Sequence, residues 1–525
     1  MKNIALHPYF ISISFLLVYF ISLKVPSPKW ELFPICLVGC VVSFLVWKFI
    51  NKLNRHFYKS AILASCCMIF LLKLDSVYEI LIAEKSVFFS FRQFLTSIIG
   101  QYTIFLVGIL IIFLIGIVLK FIKYNFKFIS MFLDFSSVAL VILLVFQLIT
   151  GWSSSSEYLF TNEEKTQQLW ASYSQQVVGS LPDEATFHND IYYLILDGYG
   201  DKETIKNLCG NESDLLINNL SNLGFHVIHN ARTNYNQTRF SVSSALNFTY
   251  IQDLQTAAGV SGDDISFPLL LINQNMVSQF LRNIGYKTIT FRTSLNQTNV
   301  FESDYYLSPA NIPSPFIETL INNTFLSLFF WKNQYFWHMN NIEKILNEIT
   351  NLHKNEAPVF VYSHLLIPHP PFLYKSEGVV TIPPKKFDLR DNNKFIELDS
   401  RSNYVEGYCD QVNFVNDKIT AIANQLIQDS PDAIIIIQGD HGPGADFLQE
   451  DLDKSNIDQK FHILNAYYFP DQDYRMLSNE ITPVNTFRVL LRKYFDSSIP
   501  LLENRTFYSN YTDIYSFIDI SDQLR

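Results

Sequence analysis

Charge is scarce in this chain. Only 17% of its 525 residues are Asp, Glu, Lys or Arg, acids outnumber bases 49 to 39, and the formal net charge is −10. No basic stripe is available to neutralise phosphates, which argues against a nucleic-acid partner. Cysteine is scarce too. The six are scattered without CxxC or Cys/His finger spacing, which removes the small zinc-finger modules from consideration. Cys36, Cys40, Cys66 and Cys67 fall in apolar runs and act as small hydrophobes, whereas Cys209 and Cys409 stand alone in the polar part and could pair. No internal repeat is visible.

What the chain has in excess is hydrophobicity, at 49%, and it is unevenly placed. Residues 1–151 hold nearly all the long apolar runs: about five stretches near spanning length, at 8–23, 33–50, 60–83, 102–121 and 129–150. The third is interrupted by Lys73, Asp75 and Glu79, and Phe88–Gly100 reads as an interfacial or re-entrant segment because it is short and carries Arg92. The loops Lys48–Lys59 and Lys120–Lys127 carry lysines and arginine without an acid, so both are expected in the cytoplasm. With five spans, everything after Gly151 then lies outside it. The expected organisation is a transmembrane domain over 1–151, a juxtamembrane linker over 152–188 and an extracytoplasmic α/β domain over 189–525. The aromatic cluster of Phe329, Phe330, Trp331, Tyr335, Phe336 and Trp337 reads first as core and second as a surface resting on lipid headgroups.

The second part alternates strands and helices, the order expected of βα units and a mostly parallel sheet. Its organising stretch is Ala433–Gly444, AIIIIQGDHGPG: four β-branched isoleucines form a strand buried on both faces, and Asp440 and His441 follow at its C-terminal end. Ligands in open α/β sheets bind at that edge. A carboxylate beside an imidazole suits zinc or manganese, although the pair alone is equally a hydrogen-bonded Asp-His turn. Ile191–Gly200, IYYLILDGYG, is a second buried strand ending in Asp197. Ala357–Ser363 is a third, running into His364 and the proline-stiffened His369. Between them Asn234–Tyr250 is dense in hydroxyls before a helix expected at Thr238–Leu246; Thr238 is the best-placed hydroxyl for an oxyanion or phosphate, with a plain N-cap as its ordinary role. Further helices are expected at Pro268–Ile284 and 401–428, and a polar loop over the site at 375–400.

The order LILDGYG, YNQT, PHPPF, GDHG resembles the alkaline-phosphatase/sulfatase superfamily over residues 189–495, in particular its bacterial membrane-anchored branch with the lipoteichoic acid synthases and phosphoethanolamine transferases. The resemblance implies Asp197, Thr238, Asp440 and His441 as ligands of one divalent ion, zinc or manganese before magnesium. It also implies Thr238 as nucleophile and His369, or else His364, on the substrate phosphate. His462 and Arg292 are further substrate contacts that no motif fixes. The implied activity is transfer of a phosphoethanolamine- or phosphoglycerol-type group from a membrane lipid donor to an envelope glycan or lipid through a phospho-threonine. The implied place is a bacterial-type inner or plasma membrane, multi-pass, with the catalytic domain on the outer face. The alternatives are a phosphodiesterase or sulfatase-like hydrolase and a non-catalytic anchored member. Type I sulfatases need Cys or Ser in a C/S-x-P-x-R setting, which neither Cys209 nor Cys409 has.

Overall fold

The computed structural model describes residues 5–524 apart from 24–26, 74–102, 153–163, 184–186, 211–214, 261–265, 353–357, 386 and 398. The expected segment Phe88–Gly100 and most of the 75–92 loop lie outside the described residues. The chain forms two compact units: residues 1–159 with Pro313–Asn333, and 160–312 with 334–525.

The first unit is helical: His7–Ile21, Leu32–Asn54, Phe57–Leu72, Thr103–Phe121 and Lys127–Trp152. Two helices, Lys29–Asn54 and Lys127–Ile149, are long and apolar enough to cross a membrane; His7–Ile21, Phe57–Leu72 and Phe105–Phe121 are shorter apolar helices. The third apolar stretch is helical only to Leu72, just before the interrupting Lys73. Pro315–Asn323 joins this unit, its start capped by Ser314. It sets Phe316 edge-on against Phe20, with ring centroids 4.9 Å apart.

The second unit is built on a seven-stranded sheet of order β2-β7-β6-β1-β5-β3-β4. The strands are β1 (Ile191–Leu196), β2 (His226–Val227), β3 (Lys287–Phe291), β4 (Tyr305–Leu307), β5 (Val359–Leu365), β6 (Ile434–Gly439) and β7 (Asn465–Tyr468). Only β7 runs against its neighbours, pairing antiparallel with β6 and β2. Every residue of β1, β5 and β6 is buried, as strands covered on both faces must be. Their register fixes the site. Leu196 of β1 lies level with Leu365 of β5 and Gly439 of β6, so the residues that follow β1 and β6, Asp197 and Asp440, leave the sheet side by side. A Cβ on Gly439 would fall within bonding-distance overlap of the Tyr199 carbonyl oxygen, so this close approach requires glycine.

The expected helix Pro268–Ile284 is instead two, Phe267–Asn273 and Met276–Asn283. Asn275 breaks it: its side chain accepts from Ser278 N at 2.8 Å and donates to Ile272 O at 2.7 Å, satisfying the backbone better than a continuous helix would. In the aromatic cluster Tyr335 is buried while Phe329, Phe330 and Phe336 are exposed, so the core reading holds for only part of it. Cys209 and Cys409 form a disulfide, which ties the helix Lys202–Cys209 to Arg401–Asp429.

Candidate functional site

At the C-terminal edge of β1 and β6, ligand atoms of Asp197, Asp440 and His441 all lie within 4.8 Å of one another. His441 Nε2 is 3.8 Å from Asp197 Oδ1 and 3.5 Å from Asp440 Oδ2. Thr238 begins the helix Thr238–Leu246, and its Oγ1 stands 3.0 Å from the same Nε2. That helix and the segment before it are moored to the sheet edge: Ser241 Oγ donates to Asp440 O at 2.8 Å and Thr233 Oγ1, ahead of the helix, to the same oxygen at 2.5 Å. Gly198 N donates to Asp440 Oδ1 at 3.0 Å.

These groups are buried and under-satisfied. Among the described residues, Asp197 Oδ1 and Asp440 Oδ2 have no hydrogen-bond partner, and Asp197 Oδ2 has only the His364 imidazole beside it. Such orphans are costly unless something fills the space between them. Hard oxygens and one imidazole converging on one point are the donor set of a divalent cation, so the residues fit one. Burial favours the neutral form of His441, the form that can ligate, although Asp440 beside it works the other way. Its Nδ1 lies 2.9 Å from Gly442 O, the outer hydrogen bond that leaves Nε2 free to face the cluster. Burial alone would raise the Asp197 carboxyl, but the imidazoles of His369, His364 and His441 hold it well below the usual carboxylate range.

The other expected residues divide. His364 lies in β5 with Nε2 3.2 Å from Asp197 Oδ2 and Nδ1 2.8 Å from Thr298 Oγ1, so it buttresses the carboxylate rather than facing a cavity. His369 lines a cavity of about 170 Å³ together with Thr238 and His441. His462 and Arg292 do not line it: His462 Nδ1 turns to Asp458 O at 2.9 Å, and Arg292 is buried.

Sequence reasoning missed four groups. Lys460 is buried beside the cluster, its Nζ 3.2 Å from Asp391 Oδ2, 3.0 Å from Asn392 Oδ1 and 3.1 Å from His441 Nδ1. Burial would raise Asp391, but Lys460 holds it down at about 2. Both line the cavity, as does Arg239, whose guanidinium burial pushes below its ordinary value. His338 is buried, with Nδ1 2.9 Å from Ser294 Oγ; burial, with His369 nearby, pushes its pKa down to about 3. Arg239 sits next to Thr238 and was open to notice. Lys460 and Asp391 lie in stretches that look like ordinary polar surface.

Among the solved structures similar to this chain are three of different kinds. The zinc complex of the C-terminal periplasmic domain of EcEptC from Escherichia coli is 14% identical, covers 66% of this chain and 97% of its own, and has a TM-score of 0.43. The integral membrane lipooligosaccharide phosphoethanolamine transferase A from Neisseria meningitidis is 12% identical, covering 91% and 94%, with a TM-score of 0.39. A 2-O GAG sulfatase is 11% identical, covering 60% and 72%, with a TM-score of 0.39. No curated protein matches. Residues 227–487 match the family model described as sulfatase. The mostly parallel sheet described above thus carries, over residues 227–487, a region that matches the sulfatase family.

Proposed function

We propose that this chain is a metal-dependent, membrane-anchored transferase that moves a phospho-substituent from a lipid donor to an envelope glycan or lipid through a phospho-threonine on Thr238. The observation that carries the reading is the convergence of Asp197, Asp440 and His441 on one point with the Thr238 hydroxyl 3.0 Å from His441 Nε2. Asp197, Asp440, His441 and Thr238 would hold the ion, with zinc or manganese favoured by the mixed oxygen and nitrogen donors. When bound, a dication lowers the pKa of a coordinated hydroxyl and offsets charge on phosphoryl oxygens.

The chain's own residues do the rest. Thr238 Oγ1, at the start of a helix whose free amides favour negative charge, attacks phosphorus. The bond to the donor's alcohol oxygen breaks, that oxygen takes the proton Thr238 has lost, and the phosphoryl group stays on Thr238. His369, in the cavity wall, holds a phosphoryl oxygen. An acceptor hydroxyl then attacks the same phosphorus, the bond from Thr238 Oγ1 to phosphorus breaks, and the acceptor's proton returns to that oxygen. Anchoring through the apolar N-terminal helices would keep the catalytic domain near a donor confined to the bilayer, at high effective concentration. The Cys209–Cys409 disulfide supports an outer-face location, because such bonds persist in oxidising compartments.

The test is mass spectrometry of the full-length protein quenched during turnover of a mixture of labelled lipids. The expected result is one added phospho-substituent on the Thr238 peptide, discharged when acceptor is added; discharge into water alone at the same rate makes the protein a hydrolase, and no adduct in a turning-over enzyme removes the phospho-threonine.

A further inference from the structure

Residues Pro313–Asn333 lie in sequence among the strands and helices of the α/β part, yet they pack with the apolar helices of the first unit. Phe316 and Leu320 of the helix Pro315–Asn323 share one buried cluster with Leu16 and Tyr19 of His7–Ile21. Phe316 N donates to Ser27 Oγ at 2.9 Å, Ser314 Oγ donates to the Glu31 carboxylate, and Phe325 N donates to Leu71 O at 2.9 Å. These contacts fall at the C-terminal ends of His7–Ile21 and Phe57–Leu72 and at the N-terminal end of Leu32–Asn54, which is one and the same end of the helical unit. The segment caps that end. The basic loops Lys48–Lys59 and Lys120–Lys127 meet at the other, where Lys59 Nζ donates to Ile122 O at 2.5 Å. Positive loops stay in the cytoplasm, so the capped end faces out.

What this segment exposes is poorly suited to water. Its only charged residues are Glu318 and Lys332. Where the helix Ser327–Glu348 begins, Phe329 is 64% and Phe330 40% exposed, and the Lys332 ammonium stands 5.3 Å from the Trp331 ring centroid. The Phe329 ring is 6.5 Å from that of Phe325, whose amide bonds Leu71 O. The aromatic group therefore stands at the level where the helix Phe57–Leu72 ends. Exposed contiguous apolar side chains mark a contact surface, and its chemistry here names the partner. Phenylalanine rings settle among the first methylenes of a lipid, while an indole N–H and an ammonium on a flexible stem reach the headgroups beside them. That combination, placed at the end of apolar helices, is the composition of a membrane–water boundary.

We infer that Phe329, Phe330 and Trp331 form a docking surface for the outer leaflet of the bilayer at headgroup depth, so that a segment carried within the α/β sequence is itself a membrane contact. This rests on the membrane-anchored reading of the apolar helices. The test places the photoreactive analogue p-benzoylphenylalanine at Phe329 or Phe330 of the full-length protein in vesicles of phosphatidylethanolamine and phosphatidylglycerol. The probe keeps an aromatic ring at an exposed position and leaves the buried Phe316 and Leu320 in place. The same probe at Phe113, 61% exposed in the helix Thr103–Phe121, and at Val379, 60% exposed in the second unit, brackets the result. After irradiation, mass spectrometry of the peptides is expected to show phospholipid adducts at Phe329, Phe330 and Phe113 on the order of tenfold above those at Val379. Lipid adducts at Phe113 with yields at Phe329 and Phe330 no higher than at Val379 overturn this inference alone. Cross-links from these two positions to a second copy or another protein in place of lipid do the same. The lack of lipid adducts at Phe113 overturns the membrane-anchored reading and the inference with it.

Discussion

The two units of the chain are opposite in polarity. In the first, apolar side chains face outward, Phe113 at 61% exposure among them, and polar groups meet inside: His7 Nδ1 is 2.6 Å from Ser65 Oγ, its Nε2 is 3.0 Å from Ser130 Oγ, and Ser12 Oγ is 2.7 Å from Ser43 Oγ. In the second, Ile434–Ile437 and their neighbours form a dry core, and the polar groups buried with them gather at one sheet edge. The contrast teaches what each unit takes as solvent. Helices that face hydrocarbon would gain nothing by hiding apolar side chains and would use buried hydroxyls and close packing instead, whereas the α/β unit folds by excluding water, and the unsatisfied carboxylates at its sheet edge fit a divalent cation.

The largest expected effect belongs to the site. Thr238→Ala should lower turnover at least about a thousandfold, on the order of 4 kcal/mol in the barrier, while the melting temperature and metal content stay near wild type. Steady-state kinetics beside a thermal melt read both; a variant with full activity removes Thr238 as nucleophile. Next comes the disulfide. Cys209→Ser opens a loop spanning 200 residues and should cost about 4 kcal/mol in denaturant unfolding of the full chain, whereas Cys66→Ser in the helical unit should cost little.

A matched pair of substitutions sharpens the contrast between solvents. Phe113 and Val379 are equally exposed, at 61% and 60%. Phe113→Asp should cost about 3 kcal/mol and appear as loss of membrane-inserted protein, while Val379→Asp should change stability by less than about 0.5 kcal/mol. Equal effects would mean that both surfaces face water. The smallest effect is pH-dependent. Lys460 holds Asp391 at about 2, below its ordinary 3.8, so this contribution is fully present above pH 4 and is lost as the pH falls toward 2. The loss is on the order of 2 kcal/mol, and Asp391→Asn should flatten that part of the stability curve.

The elements that carry the site were largely legible. Runs such as IYYLIL and IIIIQG have few readings other than a buried strand, and the helix Thr238–Leu246 starts and stops where its sequence places it. The pairing of Asp197 with Asp440 needed the register of β1 and β6, a property of the sheet that no single strand encodes. The break at Asn275 was missed because apolar spacing runs straight through it while the competing hydrogen bonds are local to one side chain. Lys460 escaped because a lysine is ordinarily at the surface, and only its pairing with Asp391 and Asn392 makes burial tolerable. His462 and Arg292 were drawn in by residue type alone, and in the fold they do not line the cavity that holds Thr238.

Titration of the metal-free full-length protein with zinc, read as stoichiometry and affinity, goes to the centre of the account. One tight site per chain is expected, weakened by Asp197→Ala and by Asp440→Asn and retained in Thr238→Ala. Zinc binding that survives both carboxylate substitutions unchanged, or the lack of any tight site in the wild-type protein, would contradict it.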